Sequence, residues 1–237
     1  MTKLNVLDKG YVRLVDALGD DLKPVNAARV SYNKESKELT EKDKRLIKFL
    51  AENHHTSPFR HAILQFECYA PLMVARQWWK YIIGSGHKEF DGGLQDPFIA
   101  WNESSRRYIT EEPEFYIVEP NEWRSAPDNS KQGSGEPIPL DKGAEWTDKL
   151  IRHYNLSVSK YEAAMEDGIC AEQARLFLPA YGLYVRWYWT ASLQGVCHLI
   201  NQRLAADAQK EFQLYADAIL RLSKSRFPNA VERLVRV

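Results

Sequence analysis

Two short segments of this sequence concentrate side chains that can hold an oxygen-rich ligand. Residues 76–80 read Arg-Gln-Trp-Trp-Lys, so polar groups interrupt an otherwise apolar helical pattern. Residues 101–108 read Trp-Asn-Glu-Ser-Ser-Arg-Arg-Tyr and combine two hydroxyls, a carboxylate, an amide and two guanidiniums. Because guanidinium groups donate in pairs to phosphate or carbonyl oxygens, this composition suits a phosphorylated small molecule. A solvated polar turn is the alternative that the residue types leave open.

Two further arginines stand among apolar residues. Arg175 lies within Ala-Arg-Leu-Phe-Leu-Pro at 174–179, and Arg203 follows Ile-Asn-Gln at 200–202. A guanidinium in apolar surroundings needs an anionic or carbonyl partner. That partner is either an internal acidic residue or a bound ligand.

Several common catalytic motifs are absent from the sequence. It contains no GxGxxG, GxxxxGK[ST] or GxSxG pattern. His54, His55 and His61 do not follow a recognised metal-ligand spacing, so we predict no metal site. Cys197 and His198 are adjacent, and neighbouring helical residues point about 100° apart. We therefore expect a buried thiol at Cys197 rather than a nucleophile activated by imidazole.

The composition excludes several classes of protein. The chain has 237 residues, with 32 Lys and Arg against 32 Asp and Glu, and this neutral balance argues against a general nucleic-acid binder. No apolar run approaches the roughly 18–20 residues that span a bilayer, and the N-terminus lacks the apolar segment of a signal peptide. Three cysteines without CxxC spacing favour a reducing, cytoplasmic setting.

Periodicity predicts an alternation of short strands and helices. Strands are expected at 11–15, 62–69, 114–118 and 183–189, and helices at 24–32, 41–52, 72–79, 144–167, 171–177, 192–204 and 207–225. Thr40 is the expected N-cap of the helix at 41–52. Residues 83–101 and 119–143 are expected to be long loops. Without regular βαβ alternation, the pattern favours a single α+β domain over 1–237, with a mixed sheet flanked by helices.

Five ordered segments resemble flavin-dependent thymidylate synthases. They are Ser57–His61, Ala75–Trp79, Asn102–Tyr108, Ala174–Pro179, and Arg203 with Ala208 and Gln209. The opening from Val12 to Tyr32 is also similar, and only the two long loops fall outside the resemblance. The resemblance implies the fold of that family, bound FAD, and a homotetramer with active sites shared between subunits. It also implies methylation of dUMP to dTMP with methylenetetrahydrofolate and NADPH, without a cysteine nucleophile. The location implied is the cytoplasm of a bacterial cell, or of the host if the protein is virus-encoded.

The same resemblance assigns roles to individual residues. Arg203 would stabilise the pyrimidine with N3 ionised, Ser105 would polarise the base, and Arg175 would reach the nucleotide of a neighbouring subunit. The positions that match dUMP contacts are Gln77, Trp78, Trp79, Lys80, Glu103, Ser104, Ser105, Arg106, Arg107, Arg175 and Arg203. The positions that match FAD contacts are Ser57, Lys80, Tyr81, Ile82, Glu103, Ser192, Leu193, Gln194 and His198.

One departure from the family pattern bears on activity. The family signature begins Arg-His-Arg, whereas this chain has Lys80, Tyr81 and Ile82, followed by a much longer loop. A divergent active enzyme is the preferred interpretation, because the dUMP-side cluster is intact. A non-catalytic nucleotide-binding relative is the alternative. A third hypothesis, an RNA-binding surface built on Trp78, Trp79, Arg106 and Arg107, is disfavoured by the neutral charge.

Overall fold

The computed structural model describes residues 2–83, 99–109, 111–128 and 133–236. The strands are β1 (Lys3–Val6), β2 (Gly10–Leu18), β3 (Ile63–Pro71), β4 (Ala100–Glu103) and β5 (Tyr184–Ser192). The helices are α1 (Leu22–Arg29), α2 (Glu41–Glu52), α3 (Leu72–Ile83), α4 (Leu140–Glu166), α5 (Ala171–Ala174), α6 (Leu193–Arg203), α7 (Lys210–Arg226) and α8 (Pro228–Leu234). Short 3₁₀ helices span Val30–Tyr32, Ser57–His61 and Arg175–Phe177. The α+β class is as predicted.

The sheet is antiparallel, not mixed as expected. Its five strands run in the order β1-β2-β3-β5-β4, and each described pairing is antiparallel. Leu18 at the end of β2 pairs with Ile63 at the start of β3, because α1 and α2 return the chain to the same end of the sheet. Such a return gives an antiparallel neighbour, and local periodicity does not contain this information.

The core lies where α3, α6 and α7 cover one face of the sheet. The predicted alternation on β3 is confirmed, since Leu64, Phe66 and Cys68 are fully buried. The apolar stripe predicted on 207–225 is also core: its five members Phe212, Tyr215, Ala216, Ile219 and Leu222 are buried. Along the ranges described, no helix is both long and apolar enough to cross a membrane.

Three of the predicted elements need correction. Residues 114–118 form only an isolated bridge, between Phe115 and Leu183, because Leu183 lies just before β5 begins at Tyr184. Helix α4 begins at Leu140 rather than at 144. Ala100 and Trp101 belong to β4 rather than to a loop, while 84–98 of the predicted 83–101 loop lie outside the described residues.

Helix α2 begins at Glu41, as its cap predicts. Thr40 and Asp43 form a capping box, in which the Thr40 backbone N–H donates to Asp43 Oδ2 at 3.0 Å. The buried Asp43 carboxylate also accepts from Arg29 Nε at 3.0 Å and from Ser36 Oγ at 2.9 Å. Burial by itself would raise the pKa of Asp43, but the hydrogen bonds from Thr40, Arg29 and Ser36 outweigh it and hold that pKa well below its usual range.

We predict that Asp43 contributes to the acid sensitivity of folding. The depressed pKa means that its stabilising contribution is complete above the unfolded value of about 4 and is lost as the pH falls toward the folded value. Asp43→Asn should lower stability at pH 7 by about 3 kcal/mol, as for a broken buried ion pair, and should reduce the loss on acidification. Thermal melting between about pH 6 and pH 3 measures both effects. If the melting temperatures of the wild type and the variant fell by the same amount across this pH range, the assignment would be contradicted.

Candidate functional site

Arg203 borders a cavity at the end of α6. Its guanidinium carbon lies 3.6 Å from the centroid of the Tyr81 ring, and its Nη1 donates to Gln77 Oε1 at 3.3 Å. Gln77 and Tyr81 are four residues apart on α3 and therefore share one helix face. The cavity holds about 310 Å³ and is lined by Gln77, Tyr81, Arg124, Gly133, Ser134, Arg203, Asp207, Gln209, Lys210 and Glu211.

The guanidinium of Arg203 is partly withdrawn from water in this cavity. Burial lowers the pKa of Arg203, while Tyr81 and Asp207 oppose the shift. The Nε–H of Arg203 has no hydrogen-bond partner among the described residues. Because this atom is buried, its missing hydrogen bond is unfavourable, and an acceptor supplied by a ligand would remove that cost.

The turn that follows β4 carries a second polar cluster. The Ser104 backbone N–H donates to the Arg186 carbonyl at 2.8 Å, and the Arg186 N–H donates back to Ser104 Oγ at 3.0 Å, which ties the turn to β5. Ser105 Oγ accepts two long hydrogen bonds, from the backbone N–H and from Nε of Arg107, each at 3.4 Å. Arg106 donates to the Glu111 carbonyl at 2.7 Å and borders a different cavity, of about 410 Å³.

The structure brings two of the four predicted nucleotide arginines together. Arg107 Nη1 contacts Glu172 Oε1 at 3.2 Å, and Arg175 Nε donates to the Glu172 carbonyl at 3.3 Å. Both side chains are exposed, so Arg175 does not lie in the apolar surroundings that its sequence neighbours suggested. Arg203 lines a separate cavity within the same chain.

The two predicted tryptophans of α3 have different environments. Trp78 is fully buried and contacts Trp187, Trp189 and Phe212, with ring centroids 5.2, 5.2 and 5.3 Å away. Its ring therefore belongs to the core and cannot form part of the exposed stacking surface of the RNA hypothesis. Trp79 is 45% exposed and packs edge-on against Trp101.

The predicted FAD residues fall into two groups. Ser57 is exposed and opens a 3₁₀ helix, while Ser192, Leu193, Gln194 and His198 lie at the start of α6. The two regions are joined where the Leu193 N–H donates to the Ala62 carbonyl at 2.8 Å. Ser192 Oγ accepts from the Gly195 N–H at 3.0 Å and so caps α6, and Leu193 is fully buried.

The other group lies at the far end of α3 and on β4. Lys80 is exposed, Tyr81 stacks on Arg203, and Ile82 lies in the last turn of the helix. Glu103 ends β4 and accepts from Trp101 Nε1 at 3.4 Å. Partial withdrawal from water raises the pKa of Glu103, and Trp101 and Arg76 oppose this effect.

Several residues of the Arg203 cavity were not found from sequence. Glu211 and Arg124 line it and were not singled out, whereas Gln209 was named only as part of the resemblance; Arg124 lies in the segment expected to be a loop. The available signal for Glu211 was its position next to Phe212, the first residue of the apolar stripe of α7. An acid buried at that position would require a partner. Nothing in the local pattern identifies Arg124.

Two of the three cysteines are poorly placed for nucleophilic chemistry. Cys68 and Cys197 are buried, and burial raises the pKa of each thiol, whereas Cys170 is exposed. At neutral pH the two buried thiols therefore remain protonated. Among the described residues, no group of three or more His, Cys, Asp or Glu is arranged to hold a metal ion.

Comparison with known proteins identifies the class to which this fold and site belong. The family model "Thymidylate synthase complementing protein" matches residues 13–229. The chain is 37% identical to a flavin-dependent thymidylate synthase of Thermotoga neapolitana over 99% of this chain and 94% of the relative. It is 39% identical to the flavin-dependent thymidylate synthase of Thermus thermophilus over 95% of this chain and 75% of the relative. It is 36% identical to that of Wolbachia pipientis wMel over 97% of this chain and 75% of the relative.

A solved structure shares the fold. The UMP/dUMP methylase PolB from Streptomyces cacaoi, bound with 5-Br dUMP, superposes with a TM-score of 0.78 at 24% identity, covering 97% of this chain and 96% of PolB. Together with the family model and the relatives, this defines an antiparallel α+β enzyme of the thymidylate synthase complementing class. The chain belongs to the flavin-dependent thymidylate synthase family.

Thiol accessibility checks the description of the cysteines. In the folded protein at pH 7, we expect a thiol reagent to modify Cys170 and to leave Cys68 and Cys197 unmodified, because only Cys170 is exposed. Peptide mapping after brief labelling measures this, and Cys170→Ser serves as the control that removes the signal. Rapid labelling of Cys197 in the folded protein would contradict the burial argument.

Proposed function

We propose that this protein is a flavin-dependent methyltransferase that converts dUMP to dTMP. The observation that carries the proposal is the Arg203 cavity, in which Arg203 and Gln77 line about 310 Å³ of space and the buried Nε–H of Arg203 has no partner among the described residues. The names of the curated relatives and the nucleotide analogue bound by the structural neighbour agree with it.

The residues at the start of α6 fit a flavin. Gln194 Oε1 is buried and has no donor among the described residues, so it can accept from a ring or ribityl group. Ser57, Lys80 and Glu103 supply exposed polar groups at the other predicted contacts. We propose FAD as the flavin; when bound, it would carry the hydride between the reductant and the new methyl group. NADPH and methylenetetrahydrofolate are the co-substrates that we propose, with no metal.

Arg203 gives the chain a way to activate the pyrimidine. Carbon 5 of uracil is a poor nucleophile, and withdrawing the N3 proton increases its electron density. A guanidinium beside the ring oxygens favours the anion, because an opposite charge stabilises the ionised form. Ser105 Oγ, which accepts two long hydrogen bonds from Arg107, is the group that we propose polarises the base.

We further propose a homotetramer in which each site draws residues from more than one copy. Arg203 lines one cavity, whereas Arg107 and Arg175 meet at Glu172 elsewhere on the chain. Both arginines are exposed and available to a nucleotide held by a neighbouring copy. Buried Cys197 is assigned no catalytic role, and the protein is proposed to be cytoplasmic.

A non-catalytic nucleotide-binding relative is the second candidate. It is favoured by Lys80, Tyr81 and Ile82, because lysine lacks the bidentate fork of arginine and isoleucine donates no side-chain hydrogen bond.

Spectroscopy and turnover distinguish the two candidates. We expect the purified protein to bind FAD, its flavin spectrum to change on addition of dUMP, and NADPH oxidation to require dUMP and methylenetetrahydrofolate. Binding of dUMP without dTMP formation would favour the second candidate. Failure to take up FAD or to bind dUMP would reject the proposed function.

Replacement of Arg203 tests the role of the cavity. Arg203→Ala should weaken dUMP binding and nearly abolish dTMP formation, at a cost on the order of 3 kcal/mol in kcat/KM, because a charge contact to the base is lost. Calorimetry and steady-state kinetics measure the two effects. Arg221→Ala is the matched control, since Arg221 is exposed on α7 and pairs only with Asp217 in the described chain. An Arg203 variant with wild-type kinetics would show that the assignment of Arg203 is wrong.

Cys197→Ala should retain turnover.

A further inference from the structure

A continuous hydrogen-bond chain runs from Arg203 to the first turn of α7. Arg203 Nη1 donates to Gln77 Oε1 at 3.3 Å, and Gln77 Nε2 donates to Gln209 Oε1. Gln209 Nε2 in turn donates to Glu211 Oε2 at 2.9 Å. The other carboxylate oxygen, Glu211 Oε1, accepts from Arg124 Nη2 at 2.5 Å. These five side chains are called the amide relay below.

The residues at the two ends of the amide relay, Arg203 and Glu211, determine which way each glutamine amide between them points. Arg203 has only donors, and an ionised Glu211 has only acceptors. Each glutamine between them has a donor end and an acceptor end, so the amides could in principle point either way. Because Glu211 must receive an N–H, Gln209 turns its carbonyl toward Gln77. Gln77 must then donate to that carbonyl, which leaves its own Oε1 for Arg203.

The position of Glu211 suits this role. The residue is 5% exposed and lies in the first turn of α7, where the helix dipole favours a negative charge. Its ion pair with Arg124 provides the opposite charge that a buried carboxylate needs. The second amide hydrogen of Gln209 is directed at Met73 Sδ, 3.4 Å away, so the Gln209 side chain is held on both sides.

We propose that Glu211, through Gln209, positions Gln77 so that its carbonyl oxygen faces Arg203. Glu211 is a positioning residue. It contacts neither Arg203 nor Ser105, the two groups assigned to the base, and it acts through the amides of Gln209 and Gln77. Without a fixed direction, Gln77 could present its NH₂ group to a guanidinium, where two donors would meet and Arg203 would lose its acceptor. Arg203 would then sample other positions in the cavity. The effect on dUMP rests on the function proposed above, whereas the effect on amide direction does not.

Glu211→Gln removes the acceptor-only end of the relay with almost no change in shape. We expect dUMP affinity of the flavin-loaded protein to fall about tenfold, since one hydrogen bond to a charged group becomes unreliable. Gln209→Met interrupts the relay at its centre and should produce a similar loss. Asp21→Asn is the matched control. Asp21 is also a buried carboxylate, but it accepts from Asn229 and Ala230 at the start of α8. That variant should lose stability and keep its affinity for dUMP.

A double-mutant cycle separates positioning from general damage. In a Gln77→Met background the relay no longer reaches Arg203, so adding Glu211→Gln should change dUMP affinity by less than about twofold. Additive losses would overturn the proposal, as would wild-type affinity in Glu211→Gln or in Gln209→Met.

The same cycle can be read without nucleotide from melting temperatures. Coupling between the Gln77 and Glu211 substitutions is expected there too, and its absence would also overturn the relay. If the wild-type protein fails to bind dUMP, the proposed function falls. The melting-temperature cycle still decides whether the amide relay exists.

Discussion

The packing of Trp78 is the constraint on which the Arg203 cavity depends. Its ring fills the space between α3 and the sheet, in contact with Trp187 and Trp189 on β5 and with Phe212 on α7. A fully buried indole of this size fixes the rotation of the helix that carries it. Gln77 and Tyr81 are thereby directed to the flank of α3, where they meet Arg203. Trp78 therefore supports the site through packing and leaves contact with the ligand to its neighbours.

The elements that follow from local chemistry were predictable from sequence. Thr40 and Asp43 mark the start of α2 because a capping box needs only residues three apart. The alternation on β3 and the stripe on α7 likewise reflect periods within one element. Strand pairing depends on contacts between distant segments, so the antiparallel sheet and the short bridge at Phe115 could not be read from local patterns.

The same distinction separates the predicted from the unpredicted residues of the site. Arg203 and Gln77 were identifiable because polar groups interrupt apolar helices, and such interruptions require an explanation. Arg124 carries no such signal, since it lies in an irregular segment rich in polar residues. Its importance follows only from its ion pair with Glu211, 87 residues further along the chain. Long-range pairs of this kind are a property of the fold rather than of either segment.

Tyr81 bears on whether the departure from the family signature damages the nucleotide side of the site. The family pattern has histidine at this position, and an imidazolium there would repel the guanidinium of Arg203. The phenol ring instead lies 3.6 Å from the Arg203 guanidinium carbon, a geometry in which the ring attracts the cation by roughly 0.5–2 kcal/mol. The substitution therefore reinforces the placement of Arg203. Any penalty from the departure then falls on Lys80 and Ile82, and on the flavin contact that the resemblance also assigns to Tyr81. Formation of dTMP is therefore the measurement that separates an active enzyme from a nucleotide-binding relative.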